Sequence, residues 1–232
     1  RNNIVAHLNY NNYQLFEGNI ENKDFINNIF SKFQPDIVVH LAAKAGVRPS
    51  VKNPFSYEQS NIVGTLNILE VCVNYKVKKF INGSSSSVYG LNESIPFKES
   101  DSLNSIVSPY AATKLASEAF CHTFHEIYKL PIINLRFFTV YGPRQRPDLA
   151  IRKFMTKILN DEPIEIYGDG STSRDYTYVE DIVSGITKAI IYNEKEYDTF
   201  NLGNSVPIKL IDLVRKIEIA VDKEAKLEYK PI

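Results

Sequence analysis

Two side chains suited to proton transfer, the phenol of Tyr110 and the amine of Lys114, lie four residues apart in the segment Ser108–Lys114. Residues at i and i+4 share one face of a helix. Ser108 suits the N-cap position and Pro109 the first helical position, so both side chains are expected near the positive end of the helix dipole. Because the dipole and an ammonium group both lower the pKa of a phenol, Tyr110 is predicted to be an acid/base catalyst near neutral pH. The competing interpretation is a surface Tyr beside a solvated Lys.

A run of hydroxyl residues, Ser84–Ser87, begins at the end of the predicted strand 79–84. A hydroxyl next to an activated Tyr can hydrogen-bond the same substrate oxygen and relay its proton. The alternative is a flexible, solvated loop. No Ser lies in a G-x-S-x-G elbow, which disfavours hydrolysis by a Ser-His-Asp triad.

Three arginines, Arg144, Arg146 and Arg174, lie in predicted loops, where solvent-facing charge is the simplest interpretation. A guanidinium group also matches the geometry of phosphate and carboxylate, and Asp175 is expected to hold Arg174 in place. With the N–H groups of a helix that Asp148 is predicted to cap, these arginines indicate an anion site.

The elements that must position these residues alternate between strand and helix as far as Val140. Strands are predicted at 13–20, 79–84 and 131–138, and the run 36–43 is predicted to be a parallel strand buried on both faces. Helices are predicted at 24–33, from Asn53 onward and from Ser108 onward. The alternation predicts a doubly wound α/β sheet, whose ligands bind beyond the carboxyl ends of the strands. Beyond Val140 the pattern changes, which indicates a smaller lobe laid against the sheet.

Composition excludes several functional classes. Lys plus Arg and Asp plus Glu both number 27, so no global charge attracts the chain to nucleic acid or membrane. No apolar run approaches the roughly 20 residues of a membrane span. Two cysteines in apolar stretches, Cys72 and Cys121, are expected to be buried free thiols of a cytoplasmic protein. The histidines lack metal-ligand spacing with carboxylates, so no metal is predicted, and His40 is expected to be a core residue.

Five motifs in order resemble the extended short-chain dehydrogenase/reductases, and within them the nucleotide-sugar 4-epimerases. They are His40–Ala43, Ser84–Gly90, Tyr110–Lys114, Arg136–Pro143 and Tyr167–Tyr176. The segments Ala45–Ser50 and Arg144–Asp148 are most similar to those of UDP-glucuronate 4-epimerases. The resemblance covers 13–232 and implies a Rossmann-like doubly wound parallel sheet with a smaller substrate-binding lobe. The expected NAD-binding domain comprises 1–142 and 179–204, and the nucleotide-sugar lobe comprises 143–178 and 205–232.

The resemblance also implies a role for individual residues. Tyr110 would be the general base at the sugar 4-hydroxyl, Lys114 would bind the nicotinamide ribose, and Ser85 would bridge Tyr110 and the substrate oxygen. Hydride would pass to NAD and return to the opposite face of a rotated 4-keto sugar. The further positions matching cofactor contacts are Asn19, Ile20, Leu41, Ala42, Ala43, Asn61 and Phe137. Those matching substrate contacts are Ser86, Ser87, Thr139, Leu149, Ala150, Ile166, Tyr167 and Arg174, with Arg48 and Arg146 as candidates for a glucuronate carboxylate.

Some positions depart from the family or discriminate within it. Related dehydratases and decarboxylases carry acidic residues where this chain has Ser86 and Ser87, which favours epimerisation. No glycine-rich turn precedes Tyr13, and Asn19 replaces the usual Asp. The chain starts with Arg1 and ends after a strand-like segment, so it is expected to be a fragment. Because the missing glycine-rich turn binds the pyrophosphate in this family, the fragment is expected to bind NAD poorly and to be inactive by itself.

Three functions fit these observations, with NAD as cofactor and a UDP-sugar as partner. The first is 4-epimerisation of UDP-glucuronate to UDP-galacturonate. The second is 4-epimerisation of UDP-glucose and UDP-galactose, and the third is a catalytically silent nucleotide-binding relative. The resemblance further implies a homodimer formed through the helix 53–75 and the Tyr110 helix.

Overall fold

The computed structural model describes residues 3–231 of the chain. Its α-helices are α1 (Lys23–Phe33), α2 (Val47–Lys52), α3 (Pro54–Glu58), α4 (Gly64–Asn74), α5 (Pro109–Tyr128), α6 (Ala150–Leu159), α7 (Val179–Ile191) and α8 (Leu210–Val221). Its strands are β1 (Ile37–His40), β2 (Lys79–Ser85), β3 (Ile132–Phe137), β4 (Thr139–Tyr141), β5 (Ile164–Tyr167), β6 (Ser173–Tyr178), β7 (Tyr197–Leu202), β8 (Pro207–Lys209) and β9 (Leu227–Lys230). A π-helical segment, Gln59–Val63, joins α3 to α4. No helix within residues 3–231 is both long and apolar enough to cross a membrane.

The chain divides into two compact units. Unit 1 runs as far as Phe137 and resumes at Val183–Leu202, and unit 2 comprises Phe138–Ile182 and the residues from Gly203 onward. In the prediction from the sequence, the boundaries between the two lobes lie at residues 142, 178 and 204. The assignment of one lobe to the cofactor and the other to the substrate stays a prediction.

Unit 1 is built on a parallel four-stranded sheet in the order β1-β2-β3-β7. Neighbouring residues of a strand point to opposite faces. Phe80 and Ile132 therefore pack with helices α1, α4 and α5, whereas Ile81 and Ile133 pack with α7 through Ala189. Helices cover both faces of the sheet, so the predicted doubly wound α/β class is confirmed.

Two predictions about the first strands are wrong. Residues 13–20 form no strand, and β1 is exposed at Ile37 and Val39 rather than buried on both faces. Within residues 3–231, β1 pairs with β2 alone, so it is an edge strand. An apolar run indicates a tendency to be buried, but burial also requires neighbours on both sides.

Unit 2 contains the three-stranded sheet β4-β6-β8 and the parallel pair β5-β9. Its core includes Ile158 of α6, Ile164 and Ile166 of β5, and Val214 of α8, all nearly inaccessible to solvent. The prediction that Asp148 caps α6 is wrong. The N-cap of α6 is Leu149, which makes no side-chain capping hydrogen bond, and the Asp148 carboxylate accepts hydrogen bonds from Arg146 instead.

Candidate active site

The first turn of α5 holds Tyr110. The Ser108 Oγ accepts a hydrogen bond from the Ala111 N–H at 3.1 Å, and Pro109 occupies the first turn, so the predicted helix start is confirmed. The Tyr110 N–H donates to the Oγ of Ser50, a fully buried residue of α2, at 3.1 Å. The Tyr110 ring is half-buried and meets the ring of Tyr57 edge-on, with 6.3 Å between centroids. Backbone and ring of Tyr110 are therefore both fixed from α2 and α3.

Lys114 lies one turn further along α5 and is only 7% exposed. Its Nζ donates to the Gly83 carbonyl oxygen at 2.7 Å, which links α5 to the carboxyl end of β2. Burial lowers the pKa of Lys114 from 10.5 to about 8, and the Glu118 carboxylate acts in the opposite direction. A side chain at Gly83 would lie 2.9 Å from Leu41 Cδ2 and 3.1 Å from the His40 carbonyl oxygen, so this glycine permits the close approach of β1 and β2.

The serine run begins one residue after Gly83, whose carbonyl oxygen accepts the hydrogen bond from Lys114. Ser85 is buried, its Oγ accepts a hydrogen bond from the Ser87 N–H at 3.2 Å, and its hydroxyl lies 3.1 Å from the Ser87 Oγ. Ser86 and Ser87 are half-buried. The run is therefore ordered by its own hydrogen bonds and lies at the end of β2, next to the residue that Lys114 contacts.

The loop after β1 is held by Asn61, which is 2% exposed. The Asn61 Oδ1 accepts from the Lys44 N–H at 2.7 Å, and its Nδ2 donates to the Lys44 carbonyl oxygen at 3.0 Å and to Thr113 Oγ1 at 2.9 Å. Thr113 precedes Lys114. The amide of Asn61 thus connects α5 to Lys44, the residue that follows the predicted cofactor residues Leu41, Ala42 and Ala43.

These residues of unit 1 fit the nicotinamide-ribose end of NAD. Leu41 is 51% exposed at the carboxyl end of β1, and Ala42 is also exposed, which leaves an apolar surface open to a ligand. The Lys114 ammonium has three N–H donors, of which the Gly83 carbonyl accepts one. Phe137 at the end of β3 is half-buried and is the register partner of Ser85.

Two other predicted cofactor residues, Asn19 and Ile20, lie just before α1. The exposed Asn19 accepts a hydrogen bond from the Glu21 N–H at 3.0 Å, which forms an Asx turn. The Ile20 side chain packs where a side chain at Gly64 would otherwise lie, and its carbonyl oxygen accepts from Asn67. Both residues are held at the start of α1.

The predicted substrate residues divide between the units. In unit 1, Arg48 is exposed on α2 and Ser86 and Ser87 follow β2. In unit 2, Thr139 begins β4, Leu149 and Ala150 form the start of α6, Tyr167 is exposed at the end of β5, and the side chain of Ile166 is wholly buried. Arg146 is exposed and forms a bidentate pair with Asp148.

Arg174 is exposed on β6, where its Nη1 donates to the Ser173 carbonyl oxygen at 3.0 Å. The Asp175 carboxylate accepts hydrogen bonds from the N–H groups of Asn204 and Ser205 at 2.9 and 2.7 Å. These bonds use both oxygens of Asp175, and no ion pair with Arg174 forms among the described residues. The predicted support of Arg174 by Asp175 is therefore wrong.

Sequence reasoning missed a buried ion pair beside the site. Glu118 and Arg136 are 6% and 4% exposed, and the Arg136 Nη2 lies 2.8 Å from the Glu118 Oε2. The sequence did contain one signal that Glu118 lies near the site. Tyr110, Lys114 and Glu118 follow one another at intervals of four residues, so they share one face of a helix. His40 and the two cysteines are buried, and the cysteines are free, as predicted.

Comparison with known proteins identifies relatives of this chain and solved structures similar to it. Protein CapI of Staphylococcus aureus is 43% identical over 94% of this chain and 70% of its own length, and a UDP-glucuronate 4-epimerase of Thermodesulfobacterium geofontis is 41% identical over 94% and 67%. The crystal structure of UDP-glucuronic acid 4-epimerase from Bacillus cereus, in complex with UDP-glucuronic acid and NAD, superposes with a TM-score of 0.90 at 36% identity, over 99% of this chain and 72% of that one. A family model matches residues 1–203. The chain belongs to the NAD dependent epimerase/dehydratase family.

Proposed function

We propose that this protein is an NAD-dependent UDP-sugar 4-epimerase whose substrate is UDP-glucuronate. The observation that carries the proposal is the arrangement of Tyr110, Lys114 and Ser85: Tyr110 and Lys114 share one face of α5, and Lys114 contacts the Gly83 carbonyl oxygen two residues before Ser85. The substrate is supported by the UDP-glucuronate 4-epimerases among the relatives.

In the proposed reaction, the Tyr110 Oη removes the proton of the sugar 4-hydroxyl and later returns it. The Ser85 Oγ holds the same oxygen by a hydrogen bond. The positive charge of Lys114 favours the phenolate form of Tyr110, and its remaining N–H donors bind ribose hydroxyls. Bound NAD would supply the reversible hydride acceptor for C4 of the sugar, and return of the hydride to the opposite face of the rotated 4-keto sugar would invert C4.

The serine run supports epimerisation over dehydration. A 4,6-dehydratase needs an acid and a base beside the substrate, and this chain has the hydroxyls of Ser86 and Ser87 at those positions. A serine hydroxyl does not ionise near neutral pH, so Ser86 and Ser87 cannot supply that acid and base.

Two further properties belong to the proposal. The 232-residue sequence contains no G-x-x-G-x-x-G turn to bind the pyrophosphate, so this chain alone is expected to bind NAD weakly and to be inactive. A cytoplasmic location is supported by two buried free cysteines, which are typical of reducing compartments.

Protein expressed from the complete gene tests the function. Incubation with UDP-glucuronate should yield UDP-galacturonate, identified by ¹H NMR of the anomeric signals. Tyr110→Phe should lower kcat by about 10²- to 10⁴-fold, the contribution of a positioned acid/base group, whereas Tyr128→Phe on the exposed end of α5 should be active. A dehydrated sugar or a pentose as product would contradict the proposal.

The choice between acidic and neutral sugars depends on Arg146. If this guanidinium group binds the substrate carboxylate, Arg146→Ala should reduce kcat/KM for UDP-glucuronate far more than for UDP-glucose. Arg215→Ala, which removes another exposed, ion-paired arginine of unit 2, is the matched control. Equal losses on both sugars would favour a UDP-glucose/galactose 4-epimerase.

A further inference from the structure

The Ser85–Ser87 segment is flanked by two residues that bind the same buried ion pair. Ser84 precedes the segment and Tyr89 follows it. The Ser84 Oγ donates to the Glu118 Oε1 at 2.5 Å, and the Arg136 Nη1 donates to the Tyr89 Oη at 2.9 Å. Both ends of the segment are therefore fixed by the pair Glu118–Arg136.

The pair itself joins α5 to β3. The Arg136 Nε and Nη2 donate to the Glu118 Oε1 and Oε2 at 3.0 and 2.8 Å, a bidentate geometry with both side chains at least nine-tenths buried. Ser84 and Arg136 are also direct partners in the β2–β3 register. A displacement of Glu118 would consequently affect the serine run and the end of β3 together.

Tyr89 extends the contacts of Arg136 to β7. The Tyr89 Oη donates to the Asn201 Oδ1 at 2.7 Å, and its ring stacks on Phe97 with 4.6 Å between centroids. The Arg136 Cζ lies 5.0 Å from the centroid of the Tyr89 ring. Arg136 also donates to the Glu99 carbonyl oxygen at 3.2 Å. Tyr89, which follows the serine segment, is thus held both by ring contacts and by hydrogen bonds.

Glu118 also acts on Lys114, which lies one turn before it on α5. Burial lowers the pKa of Lys114 to about 8, and the Glu118 carboxylate acts in the opposite direction. On β1, His40 interacts electrostatically with Lys114, and burial keeps His40 neutral. On β3, the neighbouring charge is Arg136, which Glu118 neutralises. The Glu118 carboxylate therefore favours the ammonium form of Lys114.

We propose that Glu118 and Arg136 are positioning residues that fix the Ser85–Ser87 segment and preserve the positive charge of Lys114. A buried ion pair adds little net stability relative to apolar residues of the same volume, so stability alone does not account for it. Its hydrogen bonds go to the residues on either side of the serine segment. The inference rests on the proposed function only where it concerns turnover.

The first test measures the protonation of Lys114 directly. The 232-residue protein is labelled with ¹³C-lysine, and the Cε signal of Lys114, identified by its loss in Lys114→Arg, is titrated by NMR. The wild-type midpoint should lie near 8. In Glu118→Gln it should fall below the wild-type value, because the carboxylate is lost and Arg136 is left unpaired. Glu118→Asp keeps the negative charge, so its Lys114 midpoint should lie close to the wild-type value.

Glu126→Gln is the matched control, since it removes a carboxylate from the exposed face of the same helix. Its Lys114 midpoint should equal that of the wild type. A folded Glu118→Gln protein with an unchanged midpoint would overturn the role assigned to Glu118.

The second test avoids breaking the ion pair, because Glu118→Gln risks failing to fold. Ser84→Ala removes the hydrogen bond from the residue before the serine segment to the ion pair. Tyr89→Phe removes the hydrogen bond from the ion pair to the residue beyond the segment, together with the one to Asn201. Amide exchange at Ser87, whose N–H donates to Ser85, should accelerate roughly fivefold, the equivalent of one lost hydrogen bond, while exchange at Ile133 in β3 stays unchanged. Tyr192→Phe, which removes a phenol hydroxyl bonded to Asp198 at 2.9 Å, should leave Ser87 unaffected.

Wild-type exchange at Ser87 in both variants, or an equal acceleration at Ile133, would overturn the positioning of the serine segment. In protein from the complete gene, both variants should lower kcat and leave KM for the UDP-sugar unchanged. A wild-type protein without turnover would contradict the proposed function alone, because neither the titration nor the exchange measurement involves a substrate.

Discussion

At the scale of single residues, burial sets the charge states around the candidate site. Desolvation, and secondarily the charge of Lys114, lowers the pKa of His40 from 6.5 to about 3, and its Nε2 lies 2.9 Å from Thr65 Oγ1. Desolvation also lowers the pKa of Lys114 to about 8. A neutral imidazole on β1 and a lysine with a reduced pKa on α5 therefore interact electrostatically.

The His40 pKa predicts an acid-sensitive fold. The unfolded histidine takes up a proton below pH 6.5, whereas the folded one stays neutral down to about pH 3. Its contribution to stability is complete above pH 6.5 and is lost as the pH falls through this window, by up to about 1.4 kcal/mol per pH unit. Urea unfolding of His40→Gln should show a shallower loss than the wild type between pH 6.5 and 4. His7→Gln, at an exposed histidine, should keep the wild-type slope.

The sequence identified residues of the site whose role depends on local spacing. Tyr110, Lys114 and their cap Ser108 lie within one turn or two of a single helix, so the helical period places them together. Glu118 and Arg136 meet because β3 pairs with β2 in one register and α5 packs on both strands. A register between distant segments is not visible in one sequence, which is why this pair was missed.

At the scale of elements, α5 carries most of the candidate site. It contributes Tyr110 and Lys114, and it receives contacts from α2 through Ser50 and from the π-helical segment through Asn61. Its first turn was predictable from the Ser-Pro signature, as was that of α3, where Asn53 Oδ1 accepts from the Ser56 N–H. The exposure of β1 was not predictable, since the apolar run contains no information about how many strands flank it.

The N-cap of α5 is expected to contribute measurable stability. Ser108→Ala removes the acceptor of the Ala111 N–H at a buried helix start and should lower the unfolding free energy by about 1 kcal/mol. Ser108→Thr should retain most of the stability that the cap contributes. In Ser102→Ala, at an exposed loop position, the change measured by urea unfolding should stay within about 0.5 kcal/mol. An equal loss in both alanine variants would contradict the capping role.

At the scale of the whole molecule, the sequence predicted the α/β class because strands and helices alternate with distinct periods. The order β1-β2-β3-β7 depends on a strand that joins the sheet after a long excursion of the chain. Periodicity locates such a strand in the sequence but does not identify the strand with which it pairs. The division into two units depends on contacts of this kind.

A homodimer is the prediction that concerns the assembled protein. The family resemblance implies pairing through α3–α4 and α5, and these helices expose Phe55, Ile127 and Tyr128 at 79%, 64% and 53%. Light scattering should give twice the mass of one chain, and Phe55→Glu should shift the equilibrium toward monomer. Val206→Glu changes an exposed apolar residue of unit 2 and should leave the monomer–dimer equilibrium unchanged. A monomeric wild type at micromolar concentration would contradict the prediction.

The interleaved order of the chain has a consequence for its synthesis. Asn134 of β3 bonds to Thr199 of β7 across 65 residues, and the bulk of unit 2 is encoded between them. At translation rates of roughly 5 to 20 residues per second, β1, β2 and β3 leave the ribosome about 3 to 13 seconds before their fourth strand. During that interval the edge of β3 is unpaired and its apolar face lacks α7. The nascent chain then exposes an unpaired strand edge and an apolar face to which chaperones can bind. In the finished protein β7 and α7 cover both.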